Sequence, residues 1–278
     1  MVDETFEVIG VVHLPRLPSA FHNPGYATDS IVDFAVRDAK VLEELGYSGV
    51  LVENYGDKPY AKRVHDPLTI AVMSIVVREV VKSTKLKVGI NLLRNSGREA
   101  YSIAVAARAS FIRVNGLVET IVSDSGIIEP EAPRLKVLLT NYPGVKVYSD
   151  ILVKHAVSLR GVLGLLEAPT IVSKGLQEDY VRELVEEHVE RGGASALVVT
   201  GLKTGGAPPL DLVKIVKKYS PVPVLVGSGI TADNVCEYAK YCDGIIVGSF
   251  IKKNGKAGNE VDYNRALAFI RKARECSK

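Results

Sequence analysis

The residues best suited to chemistry in this 278-residue chain stand where apolar runs end. Ile9-Gly10-Val11-Val12 stops at His13, Gly49-Val50-Leu51-Val52 at Glu53, and Val88-Gly89-Ile90 at Asn91, with Arg94-Asn95 just beyond. Arg113 and Asn115 close a fourth run, Asp150 a fifth with Lys154-His155 after it, and Thr200-Gly201 a sixth. Two further runs end in Gly227-Ser228-Gly229 and Gly248-Ser249. Glu53, Asp150, Lys154 and His13 offer acid–base groups and are the candidate catalytic residues. Asn91, Arg113, Asn115, Asp124, His155 and Thr200 are suited to orienting substrate hydroxyls or stabilising an oxyanion. Glycine lets backbone N–H groups approach an anion, so Gly201, Gly227, Ser228, Gly229, Gly248 and Ser249 are expected to hold a phosphate.

Plainer readings stand beside these. His13 could fill a turn, and the glycines could simply permit tight strand-to-helix turns. Glu53 is harder to set aside, because a carboxylate closing an apolar strand is costly unless paired or used. Arg113 and Asn115 share a face by the period of two, as do Asp150 and Lys154 if their strand stays extended. Asp150 and Lys154 would then form a structural ion pair or an acid–base couple. Glu53, Asp124 and Asp150 could meet around a divalent metal, but no spacing requires one and no cofactor is called for. The sequence has no Walker loop, dinucleotide fingerprint or Gly-x-Ser-x-Gly elbow. His65 and His188 read as solvated, and His22 lies in a long loop, Leu14–Asp29, that could form a lid.

Positioning these groups takes a regular alternation of elements. Strands are expected at Val8–His13, Gly49–Glu53, Lys87–Leu92, Phe111–Asn115, Val145–Val153, Ala196–Thr200, Val222–Val226 and Gly244–Val247. Their consecutive Val, Ile and Leu suit strands buried on both faces. Helical patterns lie between them: Ile31 to Leu45 ending at Gly46, one opened by Asp66-Pro67, and a capping box at Ser96–Glu99 before Tyr101–Ala109. Others run over Pro130–Asn141, Gln177–Arg191, Pro209–Tyr219, Ala232–Tyr241 and Asp262–Glu275. Eight βα units of about 35 residues predict one (β/α)8 TIM barrel spanning residues 1–278, with the chemistry at the C-terminal strand ends. A doubly wound sheet competes, but its Gly-rich signature should follow the first strand, where His13-Leu14-Pro15-Arg16 stands instead. The glycine turns then follow barrel strands 7 and 8, where such folds often bind phosphate.

Composition limits the partners. Thirty-five basic and 32 acidic residues leave a net charge of +3, with no basic block or stripe, so nucleic acid is not expected. No apolar run approaches the roughly 18–20 residues of a membrane span, and the N-terminus lacks signal-peptide shape. Three cysteines are too few for a disulfide framework, which makes a reduced cytoplasm the expected compartment.

Several segments, in order, resemble the BtpA (BtpA/SgcQ) family: Ile9-Gly10-Val11-Val12-His13-Leu14-Pro15, Val52-Glu53-Asn54-Tyr55-Gly56-Asp57-Lys58-Pro59-Tyr60 and Gly89-Ile90-Asn91-Leu92-Leu93-Arg94-Asn95. Phe111–Asn115, Ser123–Glu129, Asp150–Ala156, Val199-Thr200-Gly201 and the two glycine turns continue the match. The resemblance implies a barrel related to the ribulose-phosphate-binding group, and a namesake role in photosystem I biogenesis in cyanobacteria. Ser96 departs from a usual Asp, Ser125 from a usual Gln, and Asn115–Glu119 from a Thr-Gly-containing loop, so the loops after strands 3 and 4 are distinctive. The leading expectation is an enzyme on a phosphorylated sugar or nucleotide-like molecule, catalysing isomerisation or carbon–carbon or glycosidic cleavage, with a Schiff base on Lys154 as one route. A non-catalytic assembly factor and a phosphate-ligand sensor are the alternatives. Expected partners are the phosphorylated small molecule and further copies of the chain in a homo-oligomer.

Overall fold

Strands buried on both faces must be covered by helices, either in an open sheet or around a closed one. The computed structural model, which describes residues 6–152, 156–159, 178–201 and 206–277, shows the closed solution. Its strands are β1 (Glu7–His13), β2 (Gly49–Glu53), β3 (Lys87–Asn91), β4 (Phe111–Val114), β5 (Ile121–Ser123), β6 (Gly126–Ile128), β7 (Lys146–Ile151), β8 (Ala156–Ser158), β9 (Ala196–Val199), β10 (Val224–Val226) and β11 (Gly244–Val247). Eight of these pair in parallel in the cyclic order β1-β2-β3-β4-β7-β9-β10-β11, and β11 pairs back onto β1. All eight expected strands are present, and the closed ring excludes the doubly wound alternative.

Helices α1 (Thr28–Glu44), α2 (Pro67–Ser83), α3 (Gly97–Ala107), α4 (Ala132–Asn141), α5 (Glu178–Glu186), α6 (Leu210–Tyr219), α7 (Val235–Tyr238) and α8 (Tyr263–Cys276) alternate with the barrel strands. Two separate cores result. The larger lies between strands and helices; the smaller fills the barrel with Ile9, Val11, Leu51, Phe111, Tyr148, Ala196, Val198, Leu225 and Ile246. Phe111 stacks on Tyr148 at 4.4 Å between centroids. A Cβ at Gly89 would stand 2.1 Å from the Phe111 ring, so the glycine makes room for it.

Three sequence expectations change. The small antiparallel sheet β6-β5-β8 after barrel strand 4 was not foreseen. Ser96 caps nothing with its side chain: its Oγ accepts from Val64 N at 2.9 Å, while Glu131 Oε2 takes the Arg98 N–H at 3.0 Å and Glu99 pairs with Arg134. His188 is 1 % exposed rather than solvated, because the π-helical turn Glu187–Arg191 after α5 turns it inward onto Ser149 Oγ at 2.8 Å. A single disulfide, Cys236–Cys276, also ties α7 to α8, which pack side by side although their cysteines are 40 residues apart.

The Asp66 cap is as expected, with its Oδ2 accepting from Thr69 N and Thr69 Oγ1 at 2.8 Å each. Hydrogen bonds from the Ser19 hydroxyl first, then from Thr69, hold the Asp66 carboxyl below its usual range. A depressed carboxylate contributes stability above its unfolded value and loses it as pH falls through the folded value. Asp66→Ala should therefore cost about 1 kcal/mol at neutral pH. Chemical denaturation curves of variant and wild type should converge once the solution is acid enough to protonate Asp66.

Candidate active site at the C-terminal rim

Inward-facing positions alternate along each strand, so extending the barrel's apolar interior by two residues reaches the rim. Ile9 and Val11 lead to His13, Leu51 to Glu53, Phe111 to Arg113, Tyr148 to Asp150, Val198 to Thr200, Leu225 to Gly227 and Ile246 to Gly248. His13 pairs in register with Glu53, and Glu53 with Asn91, which places three polar side chains in one row across β1, β2 and β3. Asn91 Nδ2 donates to Glu53 Oε2 at 2.8 Å, and His13 Nε2 lies 4.0 Å from Glu53 Oε1. Glu53 is only 8 % exposed, and the His13 ring packs on Tyr55 at 4.6 Å.

The second group is an ion pair across β4 and β7. Arg113 donates to Asp150 through Nε at 2.7 Å and Nη2 at 3.0 Å, and Asn115 Nδ2 donates to Asp150 Oδ2 at 2.8 Å. Burial alone would lower the Arg113 pKa; the Asp150 charge and hydrogen bonds, with Glu53 behind them, outweigh it and hold it raised. Asp150 is thus engaged by Arg113 and Asn115. Lys154 and His155, expected to work beside it, lie outside the described residues.

The glycine turns close the other side. Gly229 has φ +70°, and a Cβ there would come within 2.0 Å of Ala207 N. Asn234 fixes the turn by accepting from Thr231 N at 2.8 Å and donating to Gly229 O at 3.1 Å. Ser228 Oγ accepts from Gly201 N at 2.8 Å and donates to Gly206 O at 3.1 Å, so its hydroxyl stitches neighbouring loops together. No hydrogen bond among the described residues uses the backbone N–H of Ser228, Gly229, Gly248 or Ser249.

A cavity of about 610 Å³ joins the two sides. His13, Glu53, Asn91, Arg113, Asn115, Asp124, Gly227, Ser228, Gly229, Gly248 and Ser249 all line it; Asp150, Thr200 and Gly201 stand behind the wall. Residues of the Leu14–Asp29 loop do not line it. Asp124, at the β5–β6 turn, is held by Arg94 Nη2 at 2.7 and 2.8 Å. Glu53, Asp124 and Asp150 therefore take separate partners, and among the described residues no three His, Cys, Asp or Glu side chains form a cluster that could hold a metal.

Lining residues that sequence reasoning did not propose for the site include Tyr55, Lys58, Tyr60 and Arg265. The first three sit within the motif after β2, where Lys58 Nζ lies 3.7 Å from the centre of the Tyr55 ring. Burial first, then the Glu53 charge, raises the Tyr60 pKa, and its hydroxyl donates to Tyr55 O at 2.7 Å. Arg265 stands in the first turn of α8, which Asp262 caps by accepting from Arg265 N at 3.0 Å. That cap was the available signal, since it sets the side chain next to the loop after β11. Arg265 Nε donates to Phe250 O at 2.6 Å, and its Nη groups have no acceptor among the described residues.

Fold and site define a (β/α)8 barrel with a charged cavity at its C-terminal rim. The chain belongs to the BtpA family, whose profile matches residues 4–275. It is 42% identical to an uncharacterised protein of Thermococcus kodakarensis over 96% of this chain and 95% of that one. It is 34% identical to the photosystem I biogenesis protein BtpA of Synechocystis sp. over 95% of this chain and 86% of the relative. Among solved structures, (S)-3-O-geranylgeranylglyceryl phosphate synthase from Thermoplasma acidophilum, in complex with sn-glycerol-1-phosphate, superposes with a TM-score of 0.58. That match has 16% identity and covers 97% of this chain and 94% of the synthase, a likeness of fold. Among the described residues no helix is long and apolar enough to cross a membrane.

Removing either member of the Arg113–Asp150 pair leaves a buried charge without its partner. Arg113→Leu or Asp150→Leu should each cost about 3–5 kcal/mol, and the double variant should recover a large part of the sum. Urea unfolding of the four proteins in a double-mutant cycle checks this.

Proposed function

We propose that the protein is an enzyme acting on a phosphorylated sugar or nucleotide-like small molecule. The observation that carries this reading is one cavity lined both by backbone N–H groups that no acceptor among the described residues uses and by a buried carboxylate beside an imidazole. The N–H groups of Ser228, Gly229, Gly248 and Ser249, with Arg265 alongside, would grip the phosphate, since oriented amides and a guanidinium suit a dianion. Glu53 would take a proton from substrate carbon or oxygen, and His13 would return one to the opposite atom. Asn91 would orient Glu53, while Arg113 would stabilise negative charge developing on a substrate oxygen. The synthase of similar fold, whose structure holds a glycerol phosphate, supports the phosphate half of the reading. The 34% identity to a photosystem I biogenesis protein favours an assembly role as the second reading. Against it stands the location of the charges. A docking surface gains nothing from desolvated Glu53 and Arg113 inside a barrel mouth, where burial is costly.

Calorimetric titration with inorganic phosphate and a panel of sugar phosphates tests the grip. Gly248→Asp is the better probe than a change at Gly229, because a Cβ at Gly248 meets side-chain atoms, the nearest the end of His13 at 3.1 Å, whereas one at Gly229 meets backbone. Phosphate binding should be abolished in Gly248→Asp and weakened about tenfold in Arg265→Gln. Once a turned-over ester is found, Glu53→Gln should lower kcat by about 10²–10⁴ with KM little changed. Wild-type protein that ignores every phosphate compound would refute the enzyme reading and leave the assembly role.

A further inference from the structure

One acceptor on the polar floor of the cavity has no donor among the described residues, and that acceptor describes the ligand. Both oxygens of Asp150 accept from Arg113, so the Asn115 amide can face them only with its NH2 group. Its Oδ1 is thereby turned away from Asp150. Asn115 is 9 % exposed and lines the cavity, and Oδ1 has no hydrogen-bond partner among the described residues. The orientation follows from the donor and acceptor inventory of the three side chains, since the flipped amide would set oxygen against oxygen. Nearby, Glu53 Oε2 is taken by Asn91, while Oε1 has His13 Nε2 no closer than 4.0 Å. Asn115 Oδ1 is thus a buried acceptor at the cavity without a partner among the described residues, with Glu53 Oε1 bordering the same space, and a buried acceptor left unmatched is destabilising.

We propose that the ligand is a phosphate ester of a polyhydroxylated carbon chain, whose hydroxyls donate to Asn115 Oδ1 and Glu53 Oε1. The inference rests on the reading of the glycine turns as a phosphate grip. The packing also says where along the ligand the hydroxyls belong. A Cβ at Gly227 would lie 3.2 Å from Arg113 Nη2, and one at Gly248 would lie 3.1 Å from His13 Cε1. Phosphate loops and floor are therefore separated by a single van der Waals contact. Carbons within roughly two or three bonds of the ester oxygen lie level with the floor, at about 1.5 Å per bond. Those are the carbons that must carry hydroxyls. An alkyl phosphate of equal length would fill the space and leave Asn115 Oδ1 unmatched.

Calorimetric titration of the wild-type protein with inorganic phosphate, propyl phosphate, glycerol 1-phosphate and ribose 5-phosphate separates the possibilities. The hydroxylated esters should bind at least about tenfold more tightly than propyl phosphate. In Asn115→Ala that preference should shrink toward unity, with inorganic phosphate binding as the control for an intact site. Equal affinity for propyl and hydroxylated esters in wild type overturns the inference while leaving the phosphate grip in place. A preference that survives in Asn115→Ala overturns the role of Asn115. Failure of every compound, inorganic phosphate included, removes both readings. The wild-type comparison decides even if the variant does not fold.

Discussion

A guanidinium and a carboxylate buried together must be matched atom for atom, because neither has water as an alternative partner. Arg113 and Asp150 meet that condition with two short hydrogen bonds across β4 and β7. Much of the cavity wall depends on this pair. It fixes which way the Asn115 amide turns, holds the Arg113 guanidinium against the glycine at 227, and keeps Asp150 behind the wall. Such pairs are often no more stabilising than an apolar replacement of the same shape. Their return here is geometric: a cation and an amide oxygen held in fixed positions at the barrel mouth.

The opposite wall is organised by close backbone approach. The loop after β9 and the turn after β10 touch so tightly that a Cβ at Gly229 would stand 2.0 Å from Ala207 N. Ser228 then bridges the same two loops through its hydroxyl, while the backbone N–H groups of Ser228 and Gly229 have no acceptor among the described residues. The segment after β11 is anchored from behind by Lys252, fully buried and bonded to Asp38 of α1 at 3.1 Å. Burial lowers the Lys252 pKa, and the Asp38 charge and hydrogen bond oppose that shift. Asp38 also accepts from Val261 N at 3.0 Å, so one carboxylate pins both ends of the excursion between β11 and α8. Arg265 enters the cavity from the helix that this excursion leads into.

The barrel was legible because a strand buried on both faces and stopped by a polar or glycine residue leaves the same trace each time. Eight such traces gave the ring, and the same stops supplied His13, Glu53, Asn91, Arg113 and both glycine turns, which the structure gathers around one cavity. What stayed hidden depended on contacts between residues far apart in sequence. Arg113, the cross-strand partner of Asp150, lies 37 residues away from it, a pairing that no local spacing records. Ser96 and Glu99 carry the letters of a capping box, but Arg134 and Val64 compete for them. The strands β5 and β6 have three residues each, too short for any period to register. His188 lies beyond the regular part of α5, where a π turn shifts the face of the helix and the 3.6-residue period no longer tells inside from outside.

Strand order gives the two sides of the cavity opposite electrical demands. Glycine ends the inward positions of β10 and β11, so the chain presents N–H groups there, and α8 adds a guanidinium. Glu53 and Asn115, around β2 and β4, present oxygens instead. A ligand that satisfies both sides must be anionic at one end and rich in donors next to it. Because β1 lies between β11 and β2, its terminal His13 stands where the two demands meet, against Gly248 on one side and Glu53 on the other. In that position the imidazole borders both the loop after β11 and the Glu53 carboxylate, whose Oε1 lies 4.0 Å from its Nε2. The closed order of the strands, more than any one residue, sets the glycine turns beside His13 and Glu53.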